Sequence, residues 1–160
     1  MNVVYPGSFD PVTNGHLDII ERCSKKFTKV IVAVLNNSTK NCLFTNEERT
    51  QLLKKTTAHL KNVEIDSFSG LLSEYAVQKN CNTMVRGLRA VSDYEYEMQM
   101  ALVNKKLNEN LETLFMVSSS EFVYLSSSIV KEISMLGGDI GWFVPEAVEK
   151  ALQAKIKGGI

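Results

Sequence analysis

This chain has no disulfide framework to rest on. Its three cysteines, Cys23, Cys42 and Cys81, are odd in number and widely spaced. That pattern fits neither a disulfide frame nor a cysteine-bound metal cluster, and it suits a reducing compartment. No apolar run is long enough to cross a bilayer, the longest being Val30–Leu35. The N-terminus passes directly into a strand pattern without a basic-then-apolar leader, so a cytoplasmic location is expected. Net charge is missing as well: 18 Lys and Arg balance 18 Asp and Glu. Without a global positive field there is no signal for nucleic acid or an anionic membrane, and an anionic ligand must be held by a few local cations. The phosphate loop G-x-x-x-x-G-K-[ST] does not occur, no G-x-G-x-x-G follows a strand, and there is no G-x-S-x-G elbow. P-loop kinases and dinucleotide oxidoreductases therefore lose ground, and serine hydrolysis loses its usual signature. Internal repeats, low-complexity tracts and linkers are absent too. The expectation is one domain over residues 1–160, large enough to bury a core without staples.

What is present alternates. Apolar, β-branched runs at Asn2–Tyr5, Lys29–Leu35, Val63–Asp66, Thr83–Arg86 and Leu114–Val117 read as strands. Between and after them, helical patterns cover Gly15–Phe27, Asn46–Ala58, Leu71–Asn80, Tyr94–Leu107, Ser128–Leu136 and Glu146–Ile156. Thr45 with Glu48, and Ser92 with Glu95, have capping-box spacing; Pro145 suits a first helical position, and Gly137-Gly138 a helix end. Five strands separated by helices predict an α/β, Rossmann-like, doubly wound parallel sheet with helices on both faces. In the helix 94–107, Tyr94, Met98, Ala101 and Leu102 share one face, and Tyr96, Met100, Val103 and Leu107 lie nearly opposite. One apolar face is expected to cover the sheet and the other either to be deeply buried or to meet a second subunit. Glu97 and Asn104 form a narrow polar stripe between them.

Ligands of such sheets bind at the carboxyl ends of the strands, where strand order reverses. Residues 5–16, Tyr-Pro-Gly-Ser-Phe-Asp-Pro-Val-Thr-Asn-Gly-His, follow the first strand as a glycine-bearing turn running into a helix. Asn14 is a plausible N-cap, and Asp18 is placed in the first turn. Main-chain N–H groups near Gly7 and Ser8 and those of the first helical turn converge on one space, with His16 beside them. The same edge receives Lys40 after the second strand, Leu72 after the third, Arg86, Gly87, Leu88 and Arg89 after the fourth, and Ser126-Ser127-Ser128 after the fifth. Lys40, Arg86, Arg89 and His16 are expected to form a local cationic funnel for a polyphosphate. His59, in a polar stretch before Val63, reads as structural.

These motifs also resemble a family. Gly7-Ser8-Phe9-Asp10-Pro11 followed by Thr13-Asn14-Gly15-His16 resembles the T/H-x-G-H signature of the nucleotidyltransferase superfamily, which shares a fold with class I aminoacyl-tRNA synthetases. Arg86-Gly87-Leu88-Arg89-Ala90, followed by Asp93 to Gln99, is similar to the bacterial phosphopantetheine adenylyltransferases. The serines 126–128 stand where the superfamily keeps its second phosphate-binding signature. The likeness runs from Val4 to about Ala154. It implies transfer of the adenylyl group of ATP to phosphopantetheine, giving dephospho-coenzyme A and pyrophosphate. By that resemblance His16, Lys40 and Arg89 serve the reacting phosphates. Ser8, Phe9, His16, Gly87, Leu88, Arg89, Glu97, Phe122, Val123, Tyr124, Leu125, Ser126, Ser127 and Ser128 bind ATP, and Ser8, Lys40, Leu72 and Arg86 bind phosphopantetheine. Magnesium accompanies ATP, no residue of the chain serves as its ligand, and the assembly is a homohexamer. Two departures stand out: Ser8 replaces the usual threonine, and Asn37-Ser38-Thr39-Lys40 lacks the proline of the common Ser-Pro-x-Lys. A cytidylyl or nicotinamide-mononucleotide transferase shares the first motif but not the arginine motif. A non-catalytic nucleotide sensor remains a reading from another class.

The cysteines are assigned no chemistry. Replacing Cys23, Cys42 and Cys81 together by alanine or serine is expected to leave turnover intact, while lost packing lowers stability by about 1–3 kcal/mol. A folded triple variant without turnover, assayed by pyrophosphate release, would reinstate a thiol mechanism.

Overall fold

The computed structural model describes residues 1–36, 41–89 and 91–158. Strands and helices alternate along it: β1 Asn2–Gly7, α1 Asn14–Ser24, β2 Lys29–Leu35, α2 Asn46–Thr56, β3 Val63–Phe68, α3 Leu72–Gln78, β4 Thr83–Leu88, α4 Val91–Leu107 and β5 Glu112–Val117. A 3₁₀ turn at Ser120–Phe122 then leads to α5 Ser127–Met135 and α6 Glu146–Lys157. The five strands form one sheet in the order β3-β2-β1-β4-β5, and every pairing is parallel. This is the doubly wound α/β architecture that the alternating pattern predicts.

The continuous β-branched runs are central because both of their faces are covered. Val3, Val4 and Tyr5 of β1 and Val30 to Val34 of β2 are all buried. On one side Val3, Tyr5, Val30 and Val32 pack with Ile19 and Ile20 of α1, Leu53 of α2, Val130 of α5 and Leu152 of α6. On the other, Val4, Ile31 and Ala33 pack with Tyr75 of α3. Edge strands β3 and β5 are only partly buried, which suits their mixed composition.

Strands β1, β3 and β4 extend two residues beyond the apolar runs, to Gly7, Phe68 and Leu88. Their polar or glycine tips break the hydrophobic pattern but are still paired by register, Pro6 with Ala33, Ser67 with Val34 and Gly87 with Met116. β5 likewise begins at Glu112, paired with Thr83. Strand order reverses between β1 and β4, which pair at Val4 and Met84. Beyond that pair the two strands part, and the Arg86 guanidinium donates to the Pro6 carbonyl at 2.9 Å across the gap. The crevice so opened is the ligand edge of the fold.

Helix starts refine the expected caps. Asn14 is not the N-cap of α1; Thr13 is, with extended backbone, and it forms a capping box with His16. Asp18 consequently falls outside the first turn, where it pairs with Arg22 at 3.0 Å and accepts from the Ser119 hydroxyl at 2.8 Å. The Thr45–Glu48 box forms as its spacing requires, at 2.8 and 3.2 Å. Pro145 is the N-cap of α6 and not its first residue. Gly137 takes φ +79° just past α5, a conformation that glycine adopts freely. The Ser92–Glu95 spacing lies partly outside the described side chains.

The two apolar faces of helix α4 have different surroundings. The face of Tyr96, Met100, Val103 and Leu107, a candidate for the subunit contact, lines a cavity within this chain. Leu102, on the other face, is 65% exposed, whereas the polar Asn104 is buried at 7%. Helical period alone marks where apolar faces lie; the empty volume between α3 and α4 decides what they meet.

Candidate active site

Two cavities adjoin at the carboxyl ends of β1 and β4, sharing a wall of Pro6, Gly7, Ser8, Arg86, Gly87, Arg89 and Glu97. The smaller, about 260 Å³, is polar and is closed by His16, Thr13 and the serines 126–128. The larger, about 560 Å³, runs between α3 and α4 and is lined by Leu72, Met84, Met100, Val103 and Leu107. One chamber therefore offers hydrogen-bond donors from two helix starts, and the other a trough of mixed lining with apolar side chains along α3 and α4.

His16 is fixed by the capping box. Its Nδ1 accepts from the Thr13 main-chain N–H at 3.0 Å, and the Thr13 hydroxyl lies 3.0 Å from the same nitrogen. A nitrogen that accepts carries no proton, so the neutral ring bears its hydrogen on Nε2. Burial, and behind it the charges of Arg89 and Arg86, lowers the imidazole pKa from 6.5 to about 4. His16 is thus a neutral donor at pH 7. Its ring meets the edge of Phe9, with centroids 5.1 Å apart. Phe9 is buried and holds φ +48°, a region costly for an aromatic residue. Glycine is required at position 7 because a Cβ there would lie 2.8 Å from the Phe9 ring.

The expected cationic funnel is corrected by the structure. Arg86 is committed to Glu97 by two bonds of 2.6 Å, from Nε and Nη2, so the pair is close to neutral. Three of the five guanidinium N–H groups are occupied by Glu97 and Pro6, leaving two for a ligand. Since His16 is neutral, the helix starts of α1 and α5 contribute to the positive character of the polar chamber. Arg89 lines both chambers and donates to the Leu125 carbonyl at 3.2 Å. Lys40 lies outside the described residues.

The serines divide their work. The Ser126 hydroxyl caps α5 by accepting from the Ile129 N–H at 3.1 Å. The Ser127 hydroxyl donates to the Pro11 carbonyl at 2.8 Å, tying α5 to the β1–α1 turn. Ser128 is exposed and lines the polar chamber. Of the sequence-derived candidates, Ser8, Phe9, His16, Gly87, Arg89, Glu97, Leu125, Ser126, Ser127 and Ser128 come together there, and Leu72 and Arg86 line the apolar one. Leu88, Phe122, Val123 and Tyr124 do not line either. Phe122 instead backs Gly15, whose Cβ would lie 3.3 Å from it, and Tyr124 stacks on Trp142.

Sequence reasoning passed over four residues. Tyr5 contributes to the floor of the polar chamber, and Thr13 orients His16. Asp10 is buried, accepts from the Leu43 and Phe44 N–H groups at 3.0 and 2.9 Å, and pairs with Lys131 at 2.7 Å. Arg49 is buried and donates to the Ser8 carbonyl at 2.7 Å. The Thr-x-x-His spacing was a readable signal for Thr13. The other three depend on contacts between distant segments, or on a tyrosine within an apolar strand.

Comparison with known proteins bears on this geometry. A family model described as cytidylyltransferase-like matches residues 4–133. A phosphopantetheine adenylyltransferase of Syntrophomonas wolfei is 53% identical over 153 residues, covering 96% of this chain and 95% of the relative. Among solved structures, a putative nicotinate-nucleotide adenylyltransferase from Vibrio parahaemolyticus superposes with a TM-score of 0.71 over 99% of this chain and 96% of the other. At 17% identity that likeness carries the fold alone.

The His16 environment has a consequence for acid stability. Its folded pKa lies below its unfolded value, so between pH 6.5 and about 4 the unfolded chain binds a proton that the folded chain refuses. Stability is therefore expected to fall as pH drops through that window and to flatten, for this group, below it. In His16→Gln the decline in melting temperature between pH 7 and pH 4.5 should be smaller than in the parent chain. Equal declines in thermal unfolding would show that the imidazole is not held neutral.

Proposed function

This chain belongs to the cytidylyltransferase-like family, and we propose that it transfers the adenylyl group of ATP to phosphopantetheine, releasing pyrophosphate and dephospho-coenzyme A. The observation that carries this reading is the pair of chambers with one shared wall. A polyphosphate suits the polar chamber, an aliphatic pantetheine arm suits the trough, and the two reacting phosphates meet at Ser8, Arg86 and Arg89.

In the reaction an oxygen of the acceptor phosphate attacks the α-phosphorus of ATP. The new P–O bond forms as the bond to the β-phosphate bridge breaks, and pyrophosphate leaves with the electron pair. The nucleophile is already anionic at neutral pH, so no protein base is needed. His16 could not readily serve as one, because Nδ1 is occupied by Thr13 and Nε2 carries the proton. Its work is to donate from Nε2 to an oxygen on which charge grows, with Arg89 and the α5 start opposite.

In this assignment Ser8, Phe9, His16, Gly87, Arg89, Glu97 and residues 125–128 serve ATP, with Leu88 and residues 122–124 joining them on the resemblance alone, and Ser8, Leu72 and Arg86 serve the acceptor. Lys40 joins the acceptor set on the resemblance alone. Magnesium bound to the nucleotide would be held by its phosphates and would supply charge neutralisation there. The lining fits an ion held by those phosphates, since its one carboxylate, Glu97, is taken by Arg86. Among the described residues no cluster of three acidic, histidine or cysteine side chains offers a metal cage. A homohexamer in the cytoplasm completes the proposal; exposed Leu102, Leu114 and Val117 on α4 and the edge strand β5 support a subunit contact. No helix among the described residues is long and apolar enough to cross a membrane.

The deciding experiment is pyrophosphate release with ATP and a panel of phosphorylated acceptors. Turnover should be confined to phosphopantetheine, whereas a sensor would bind ATP and return it unchanged. Within that assay His16→Ala is expected to lower kcat by roughly 10²–10³-fold, with ground-state ATP binding far less affected. Rescue of that variant by alkali would overturn the donor role in favour of a base.

Arg86→Ala is expected to weaken use of phosphopantetheine by about 2–3 kcal/mol, and to strand the Glu97 carboxylate beside the phosphates. Arg86→Ala combined with Glu97→Gln should recover part of that loss in acceptor kinetics. Unchanged acceptor kinetics with collapsed ATP binding would reassign Arg86.

A further inference from the structure

Arg49, on the first turns of α2, is the one buried basic side chain among the described residues, 3% exposed. A cation taken out of water normally has a counter-ion. This one has no carboxylate partner among the described residues. Its Nη1 donates to the Ser8 carbonyl at 2.7 Å and to the Leu35 carbonyl at 3.1 Å, and its Nε to the Thr45 carbonyl at 3.4 Å. Those acceptors belong to three segments, namely the turn after β1, the end of β2 and the cap of α2. Main-chain carbonyls solvate the guanidinium without cancelling its charge.

The Ser8 carbonyl is the acceptor with a consequence for the site. A trans peptide is planar, with C=O and N–H opposed. Drawing the Ser8 oxygen back to Arg49 therefore turns the Phe9 N–H away from Arg49, and Ser8 and Phe9 both line the polar chamber. That N–H has no hydrogen-bond partner in the protein among the described residues. Phe9 also holds φ +48°, which persists only where neighbours enforce it. We infer that Arg49 is a positioning residue for the transfer reaction: it aims the Ser8–Phe9 peptide so that the Phe9 N–H meets a nucleotide phosphate. Its uncompensated charge, standing behind that peptide, strengthens the N–H as an anion donor. The counter-ion of Arg49 is then the phosphate charge itself, met across a single peptide unit. This inference rests on the adenylyl-transfer reading given above.

Arg49→Lys tests it, because lysine keeps the charge but cannot bond three carbonyls at fixed angles. In a variant that melts above the assay temperature, kcat should fall roughly 10- to 100-fold while the KM for phosphopantetheine stays within about threefold. In Arg49→Ala, added ethylguanidinium should restore kcat at least about fivefold, which lost packing alone would not allow. A folded lysine variant with unchanged kcat would overturn the inference. If neither variant folds, the unaltered protein decides it: inorganic pyrophosphate should move the Phe9 amide proton downfield in the NMR spectrum, and an unmoved amide would reject the role. Failure of the functional reading is separable, because it is an unaltered protein that releases no pyrophosphate with phosphopantetheine, while the Phe9 amide still responds or does not.

Discussion

Burial of β1 on both faces is the constraint on which the ligand edge depends. Val3 and Tyr5 pack into one core and Val4 into the other, so the strand has no freedom to slide or rotate. Its last residues are delivered to the one place in the sheet where strand order reverses. There β4 diverges after Met84, and the turn from Gly7 to Thr13 takes up the space between them. His16 is tied to that turn through Thr13 and α5 through Ser127 on Pro11, while Arg49 of α2 holds its Ser8 carbonyl.

The site works by rigidity more than by net charge. His16 is neutral, Arg86 shares its charge with Glu97, and Lys131 is spent on Asp10. What remains is a set of donors whose directions are fixed by backbone geometry and which need no reorganisation when charge shifts between phosphates. Such an arrangement suits a reaction whose nucleophile and leaving group are both phosphate oxygens. On the proposed reading the chain holds the reactants and forms no bond to either.

Buried charge is used in two ways around this turn. Asp10 is neutralised by Lys131 and by two main-chain N–H groups, so it behaves as a structural tie between the turn, residues 43–44 and α5. Arg49 is bonded to carbonyls only, and so it retains a field that reaches the site. Ser8, which Arg49 holds, and Asp10, which Lys131 holds, flank Phe9 in the chain, so both contacts anchor the same few residues. Between them Phe9 keeps φ +48°, with its ring against the space left by Gly7.

The sequence by itself determined the parallel sheet, its strand count and the edge on which ligands bind, because runs such as Lys29–Leu35 admit only a strand covered on both faces. It also determined the motif positions of Ser8, His16, Gly87, Arg89 and the serines 126–128, which are local in sequence and fall together once strand order is known. Tertiary structure alone decided the protonation of His16, the pairing of Arg86 with Glu97 and the burial of Arg49. Each depends on contacts between segments distant in sequence or on exclusion of water, and neither has a period or a spacing to read. The faces of α4 show the same divide: its apolar residues are legible from the helical repeat, but whether they cover a sheet, line a trough or await a partner is set by the volume opposite them. A motif names the side chain at an edge; the packing behind it fixes the charge that side chain carries and the direction in which it points.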